Sequence, residues 1–190
     1  GESGTGKGIT AKTIHQNSLR SSGTFIPVNC GAIPEALMES ELFGHKKGAF
    51  TDAKENRLGR FDIASDGTLF LDEITTLAKP LQAKLLRVIQ EREFTPLGTN
   101  KTVKFQAQLI SASSNSIKEA VLSGEFREDL FYRLNIVTFD LPPLRERGAD
   151  IMLIANHFLT RYAAPENKSF KCFSTGCKQI ITQYAWPGNV

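Results

Sequence analysis

Little in this chain suggests a secreted scaffold, a membrane protein or a bare nucleic-acid binder. Its 190 residues include three cysteines, Cys30, Cys172 and Cys177. So sparse and odd a set excludes a disulfide framework, and the pair Cys172 and Cys177 has no second pair to complete a tetrahedral zinc site. The three read as reduced thiols of a cytosolic protein. No apolar run approaches the roughly 20 residues needed to cross a bilayer, and no signal peptide precedes the first motif. Charge of one sign is missing too. The formal net charge is +3 and the basic residues are scattered, which argues against a DNA-binding or membrane-binding surface. There is no internal repeat and no low-complexity segment. The length suits one domain, or one domain with a small appendage, with a sizeable core.

What is present starts at the first residue. Gly1-Glu2-Ser3-Gly4-Thr5-Gly6-Lys7 is a complete phosphate-binding loop. Its glycines let successive backbone N–H groups curl around a polyphosphate, and Lys7 brings a compact positive charge to the outer phosphates. Further on, Thr68-Leu69-Phe70-Leu71 reads as a buried strand that delivers Asp72 and Glu73 to its tip. Asp72 suits a Mg²⁺ ion or its waters; Glu73 suits the orienting and polarising of an attacking water. A glycine turn plus an ordinary acidic pair is the bland alternative, and the pairing of both segments weighs against it.

Along the chain, strands alternate with helices. Apolar spacing predicts a helix from about Ile9 to Ser21, a strand over Phe25–Cys30, a helix from Pro34 to about Leu42 and a helix presenting Leu81, Leu85, Leu86 and Ile89. Phe94 to Phe105 reads as a hairpin, Gln108 to Ala112 as a strand, and Ser116–Ser123 and Glu125–Leu134 as helices. Ile136 to Leu141 reads as a strand, followed by helices over Ile151–Tyr162 and Thr175–Tyr184. Such alternation indicates an α/β fold, a parallel central sheet flanked by helices, with a helical tail forming a small lid. The expected division is a core over 1–148 and the start of a truncated lid over 149–190. Both ends look cut: a phosphate loop normally follows a buried strand, and the chain stops in mid-element.

At this point the residues resemble a known family, the AAA+ ATPase domain of bacterial enhancer-binding proteins, the sigma-54-dependent transcription activators. The resemblance runs along the whole chain. It rests on the phosphate loop (a Walker A motif), Ser40-Glu41-Leu42-Phe43-Gly44-His45, Gly48-Ala49-Phe50-Thr51-Asp52-Ala53 and the strand ending in Asp72-Glu73 (a Walker B motif). It continues through Phe126-Arg127-Glu128-Asp129-Leu130, Leu141-Pro142-Pro143-Leu144-Arg145-Glu146-Arg147 and Trp186-Pro187-Gly188-Asn189-Val190. The likeness implies an AAA+ P-loop fold using ATP and Mg²⁺, assembled in the bacterial cytoplasm into a ring, usually a hexamer. In that ring Arg127 and Arg133 reach the adjacent subunit's nucleotide. About 600° of helical turn separates the two, so they cannot share one face. The resemblance also implies that Asn29 can hold Glu73 in a parked position, although Asn29 reads equally as a strand-end turn former. It implies that the loop Gly48, Ala49, Phe50, Thr51, Asp52, Ala53 engages the sigma-54 RNA polymerase holoenzyme and remodels its closed promoter complex. DNA would be reached only through a domain outside this chain.

The sequence departs from the family pattern in four places. Asp52 replaces a glycine in the contact loop, adding a negative charge there. Gly8 follows Lys7 where family members usually carry glutamate and many other phosphate-loop proteins carry serine or threonine; it offers no hydroxyl, so Mg²⁺ must lean on Asp72, phosphate oxygens and water. Ser113 and Ser114 stand where Thr-Asn usually senses the γ-phosphate. An arginine usually found after Val190 is absent, and weak hydrolysis by the 190-residue chain alone is expected. These departures keep open a second reading, a hydrolysis-impaired regulatory module that binds nucleotide or protein partners without activating sigma-54. Another AAA+ class, such as a helicase loader, is disfavoured by Gly48-Ala49-Phe50-Thr51.

Overall fold

The strand ending in Asp72 is the middle of a three-stranded parallel sheet, and its burial explains its composition. In this computed structural model, which describes residues 1–163 and 172–190, two compact units are formed. One comprises Lys7–Phe139; the other comprises Gly1–Gly6 together with Asp140–Val190.

In the first unit, α1 (Lys7–Gln16) leads to β1 (Phe25–Asn29), α2 (Glu35–Phe43), α3 (Arg60–Ala64) and β2 (Thr68–Asp72). Next come a 3₁₀ turn over Ile74–Thr76, α4 (Lys79–Glu91), the short strands β3 (Glu93–Phe94) and β4 (Val103–Lys104), β5 (Gln108–Ser111), α5 (Ile117–Leu122) and α6 (Glu128–Leu134). The sheet order is β1-β2-β5. Phe25 lies beside Thr68 and Asn29 beside Asp72, while Leu71 lies beside Ser111. Thr68 through Leu71 are all buried, as a strand covered on both faces requires, which is why the run is continuously apolar rather than alternating. Pro27, which cannot donate to a ladder, sits on the edge strand β1.

Helices cover the sheet. Ala11 and His15 of α1 are buried, and His15 Nδ1 lies 2.9 Å from the Thr68 hydroxyl. Phe61 of α3 is stacked on Phe43, with ring centroids 5.2 Å apart, and meets Phe105 edge-on at 5.0 Å. Leu81, Leu85, Leu86 and Ile89 of α4 complete the core. The expected hairpin is present as the antiparallel pair β3 and β4. The expected strand over Ile136–Leu141 is not formed. Ile136, Val137 and Phe139 are exposed and no ladder among the described residues includes them, so the β-branched pattern there lacks the neighbour that would make it a strand. The short helix α3 was not expected from the sequence, its five residues being too few to show a period.

The second unit carries α7 (Asp150–Ala163) and α8 (Thr175–Gln183), preceded by a 3₁₀ turn over Leu144–Glu146. The Ser174 hydroxyl caps α8 by accepting from the Cys177 amide. Among the described residues no helix is long and apolar enough to cross a membrane.

Candidate functional site

Glu73 follows β2 in a left-handed backbone conformation, φ 53° and ψ 47°. For a residue other than glycine this costs about 1–2 kcal/mol, and two hydrogen bonds enforce it. The Ile74 amide donates to the Ala112 carbonyl at 2.9 Å, and the Glu73 amide donates to Asp72 Oδ1 at 3.0 Å. The side chain is equally constrained. Glu73 Oε2 accepts from the Ser114 amide at 2.9 Å and from the Ser114 hydroxyl at 2.7 Å. Its other oxygen lies 3.6 Å from Lys7 Nζ. Partial burial pushes the Glu73 carboxyl up, but the two Ser114 hydrogen bonds and then the Lys7 ammonium outweigh it and hold the group below its ordinary value.

Ser114 is aimed by its neighbours. The Ser113 hydroxyl is buried, donates to the Asn115 carbonyl and lies 3.0 Å from the Thr75 hydroxyl, which belongs to the turn after Glu73. Ser114, expected at the γ-phosphate, gives its single hydroxyl proton to Glu73 in this state. Asn29, which reads from sequence equally as a partner of Glu73 and as a strand-end turn former, accepts from the Gly31 amide through Oδ1 at 2.9 Å, a turn-forming contact; among the described residues no hydrogen bond joins it to Glu73.

Asp72 stands half-buried at the strand tip. Among the described residues no three His, Cys, Asp or Glu side chains cluster as a cation cage. A lone carboxylate suits Mg²⁺, which keeps several waters and takes phosphate oxygens. Gly8, in the first turn of α1, offers no hydroxyl.

In the other unit the loop Gly1–Gly6 is held by its carbonyls. Thr5 Oγ1 donates to Glu2 O at 2.7 Å, Asn189 Nδ2 to Ser3 O at 2.8 Å, Val190 N to Gly4 O at 3.2 Å and Arg147 to Thr5 O at 2.6 Å. Four consecutive carbonyls thus turn toward protein donors. Glu2 is gripped by both terminal nitrogens of Arg145, at 2.6 and 3.0 Å, and by Asn189 at 3.2 Å. The Arg145 bonds, then the Asn189 bond, lower the Glu2 carboxyl to about 2. Gly4 has φ +76°, and a β-carbon there would lie 2.2 Å from the Gly188 carbonyl, so no side chain fits. Lys7 follows Gly6 directly in the chain. The clamping roles of Arg145, Arg147 and Asn189 were not foreseen, because their partners lie at the far end of the sequence. Only their place in the quoted Leu141–Arg147 and Trp186–Val190 segments could have pointed to them.

The expected contact loop is a tight turn. Gly48 N donates to Ala53 O at 2.8 Å and Ala53 N to Phe50 O at 3.0 Å. Phe50 is 40% exposed and meets the His45 ring edge-on at 4.9 Å. Thr51 and Asp52 are exposed, and Ala53 is buried. Below the loop, Glu41 binds both Arg57 at 2.6 Å and Arg60 at 3.0 Å. Arg127 is the residue before α6, exposed, with its guanidinium paired to both oxygens of Asp129 at 3.0 and 2.6 Å. Arg133 is exposed in the last turn of the same helix.

A parallel sheet flanked by helices, with Asp72 and Glu73 at the tip of its middle strand, is the α/β architecture of the AAA+ class. Residues 1–140 match the model of the sigma-54 interaction domain, and residues 145–190 match that of an AAA+ ATPase lid domain. The chain belongs to the sigma-54 interaction domain family. It is 50% identical over its full length to the regulatory protein AtoC of Escherichia coli, covering 41% of that protein. It is 53% identical to the transcriptional regulatory protein GlrR of the same species, again over its full length and covering 43% of that protein. The solved structure of NtrX from Brucella abortus in complex with ATP superimposes with a TM-score of 0.89 at 32% identity, over 99% of this chain and 42% of that one. The chain thus spans about two-fifths of the length of the curated relatives it matches.

Proposed function

We propose that this chain binds ATP and Mg²⁺, hydrolyses the nucleotide within a homo-oligomeric ring, and uses the energy to remodel sigma-54 RNA polymerase holoenzyme at a closed promoter complex in the bacterial cytoplasm. The observation that carries this reading is the convergence of Lys7 and Ser114 on the two oxygens of Glu73, at the tip of the strand that ends in Asp72. The ATP complex of NtrX, at 32% identity, supports ATP as the nucleotide. The backbone of Gly1, Glu2, Ser3, Gly4, Thr5 and Gly6, with the carbonyls of Glu2 to Thr5 occupied, leaves amides for the phosphates, and Gly8 leaves the start of α1 uncrowded. Asp72 would hold Mg²⁺, whose charge offsets that of the phosphates during transfer.

In the state described, Glu73 has both oxygens engaged and is at rest. ATP draws the Lys7 ammonium toward its outer phosphates, and release of Oε2 from Ser114 then frees Glu73 to orient the attacking water. In the engaged state the same contacts with Ser114 and Lys7 keep the carboxyl ionised. Arg127 and Arg133 project from exposed positions, suited to a neighbouring protomer's phosphates once Arg127 exchanges Asp129 for them. Asn29 remains a candidate second partner for Glu73. The turn Gly48-Ala49-Phe50-Thr51-Asp52-Ala53 offers an exposed aromatic for sigma-54. DNA contact belongs to regions outside this chain, and no membrane is involved.

The test is ATP turnover and nucleotide affinity of the full-length protein with Glu73→Gln. Retained ATP binding with turnover down about 100-fold or more is expected, whereas unchanged turnover would remove Glu73 from the mechanism. The hydrolysis-impaired reading is favoured by the double engagement of Glu73 and by Ser113-Ser114. It predicts that the unaltered full-length protein binds ATP without turning it over.

A further inference from the structure

Gln82 is wholly buried, 0% exposed, near the start of α4. A primary amide without water must pair both N–H groups and its oxygen or destabilise the fold. Gln82 does so with three main-chain partners from two segments. Nε2 donates to the Leu77 carbonyl at 2.7 Å and to the Glu125 carbonyl at 3.0 Å, and Oε1 accepts from the Arg127 amide at 2.8 Å. Leu77 closes the 3₁₀ turn that Glu73 opens. Glu125 to Arg127 is the turn that launches α6, and Arg127 caps that helix without a side-chain hydrogen bond of its own to the helix amides. One side chain therefore fixes the main chain of Arg127 and ties it to the segment carrying Glu73. The guanidinium of Arg127 is set separately, by Asp129.

We infer that Gln82 is a positioning residue: it holds Arg127 where a neighbouring protomer's nucleotide can use it, and it couples that placement to the Glu73 turn of its own protomer. The inference rests on the proposed action of Arg127 across the subunit boundary. A shift of the Glu73 turn moves the Leu77 carbonyl, and the amide plane of Gln82 cannot follow it without loosening its bonds to Glu125 and Arg127. The state of one site is thereby passed to the arginine offered to the next.

The experiment uses full-length protein and mixed oligomers. Gln82→Met keeps the length but removes the hydrogen bonds; turnover should fall about ten-fold with ATP affinity within about two-fold. Equal mixing with Glu73→Gln protomers should restore about a quarter of wild-type turnover, because about one interface in four then pairs an intact Glu73 with an intact Arg127. No restoration, where the Arg127 control below does complement, would overturn the inference, since Gln82 would then act only on the Glu73 turn of its own protomer and not through Arg127. Arg127→Ala mixed with Glu73→Gln is the control. If that pair also fails to complement, the action of Arg127 across the boundary is itself refuted, and the inference with it. Should Gln82→Met not fold, hydrogen exchange on the unaltered protein decides. A nonhydrolysable ATP analogue that changes exchange in the Glu73–Leu77 turn must also change it at the Arg127 amide, and an unchanged Arg127 would refute the coupling.

Discussion

Replacing Ser114 with alanine removes one of the two hydrogen bonds that hold Glu73 and leaves the other, from the main chain, in place. A hydroxyl donating to a carboxylate at 2.7 Å contributes about 1.5–3 kcal/mol in a protected setting. The Glu73 side chain retains 21% of its exposure, so screening brings the expected loss to about 1 kcal/mol. That is about a five-fold shift from the engaged toward the released carboxylate. If engagement is a resting state, Ser114→Ala raises kcat for ATP about three-fold to five-fold at saturating nucleotide, with KM little changed. Ser114→Thr, which keeps the hydroxyl, stays near wild type. Steady-state phosphate release on full-length protein reads the rate, and carbon-detected NMR of the Glu73 carboxyl reads its titration, which should move up toward the ordinary carboxylate range in Ser114→Ala. A fall in kcat of about ten-fold or more, restored by threonine, would refute the reasoning. It would mean that the hydroxyl works in the transition state, on Glu73 or on the phosphate.

Three further outcomes follow from the loop and its clamp. Glu2 is depressed to about 2 from an ordinary 4.5, so its contribution is fully present above about pH 4.5 and is lost as pH falls through about 2. An NMR titration of Glu2 should show the low midpoint and an upward shift in Arg145→Ala, and a midpoint near 4.5 in the unaltered protein would discount the clamp. Gly4→Ala would set a β-carbon 2.2 Å from the Gly188 carbonyl at positive φ; a cost of about 2 kcal/mol or more should weaken fluorescent-nucleotide binding about 30-fold, and unchanged affinity would show that the close approach is dispensable. Asp52→Gly removes an exposed charge beside Phe50 and should strengthen sigma-54 capture with an ATP transition-state analogue, leaving ATP turnover within about two-fold; equal capture would remove Asp52 as a modulator of that contact.

What could be read from the chain, and what could not, divides along the range of the interactions. Asp72 and Glu73 were legible because a strand buried on both faces leaves a continuous apolar run, and the residues ending that run stand at its tip whatever else the fold does. Ser114 as the partner of Glu73 was not, because that contact depends on β5 lying beside β2 with Ser111 next to Leu71, a register no local pattern encodes. For the same reason Ile136 to Leu141 read as a strand. Its composition fits one, but a strand exists only in a ladder, and here Ile136, Val137 and Phe139 stand exposed. Gln82 is the most instructive miss. Gln82, Leu85, Leu86 and Ile89 follow the i, i+3, i+4, i+7 spacing of one helix face, so the period alone places Gln82 in the core. Its polarity hid it, because an amide in a helix is ordinarily counted as solvent-facing. A polar residue in phase with an apolar face has to be matched by buried partners from elsewhere in the chain, and the Leu77 and Glu125 carbonyls and the Arg127 amide are those partners. Such a residue marks, from sequence alone, the place where two segments are tied together. Here the segments carry Glu73 and Arg127, the two groups that would have to act in concert across a ring.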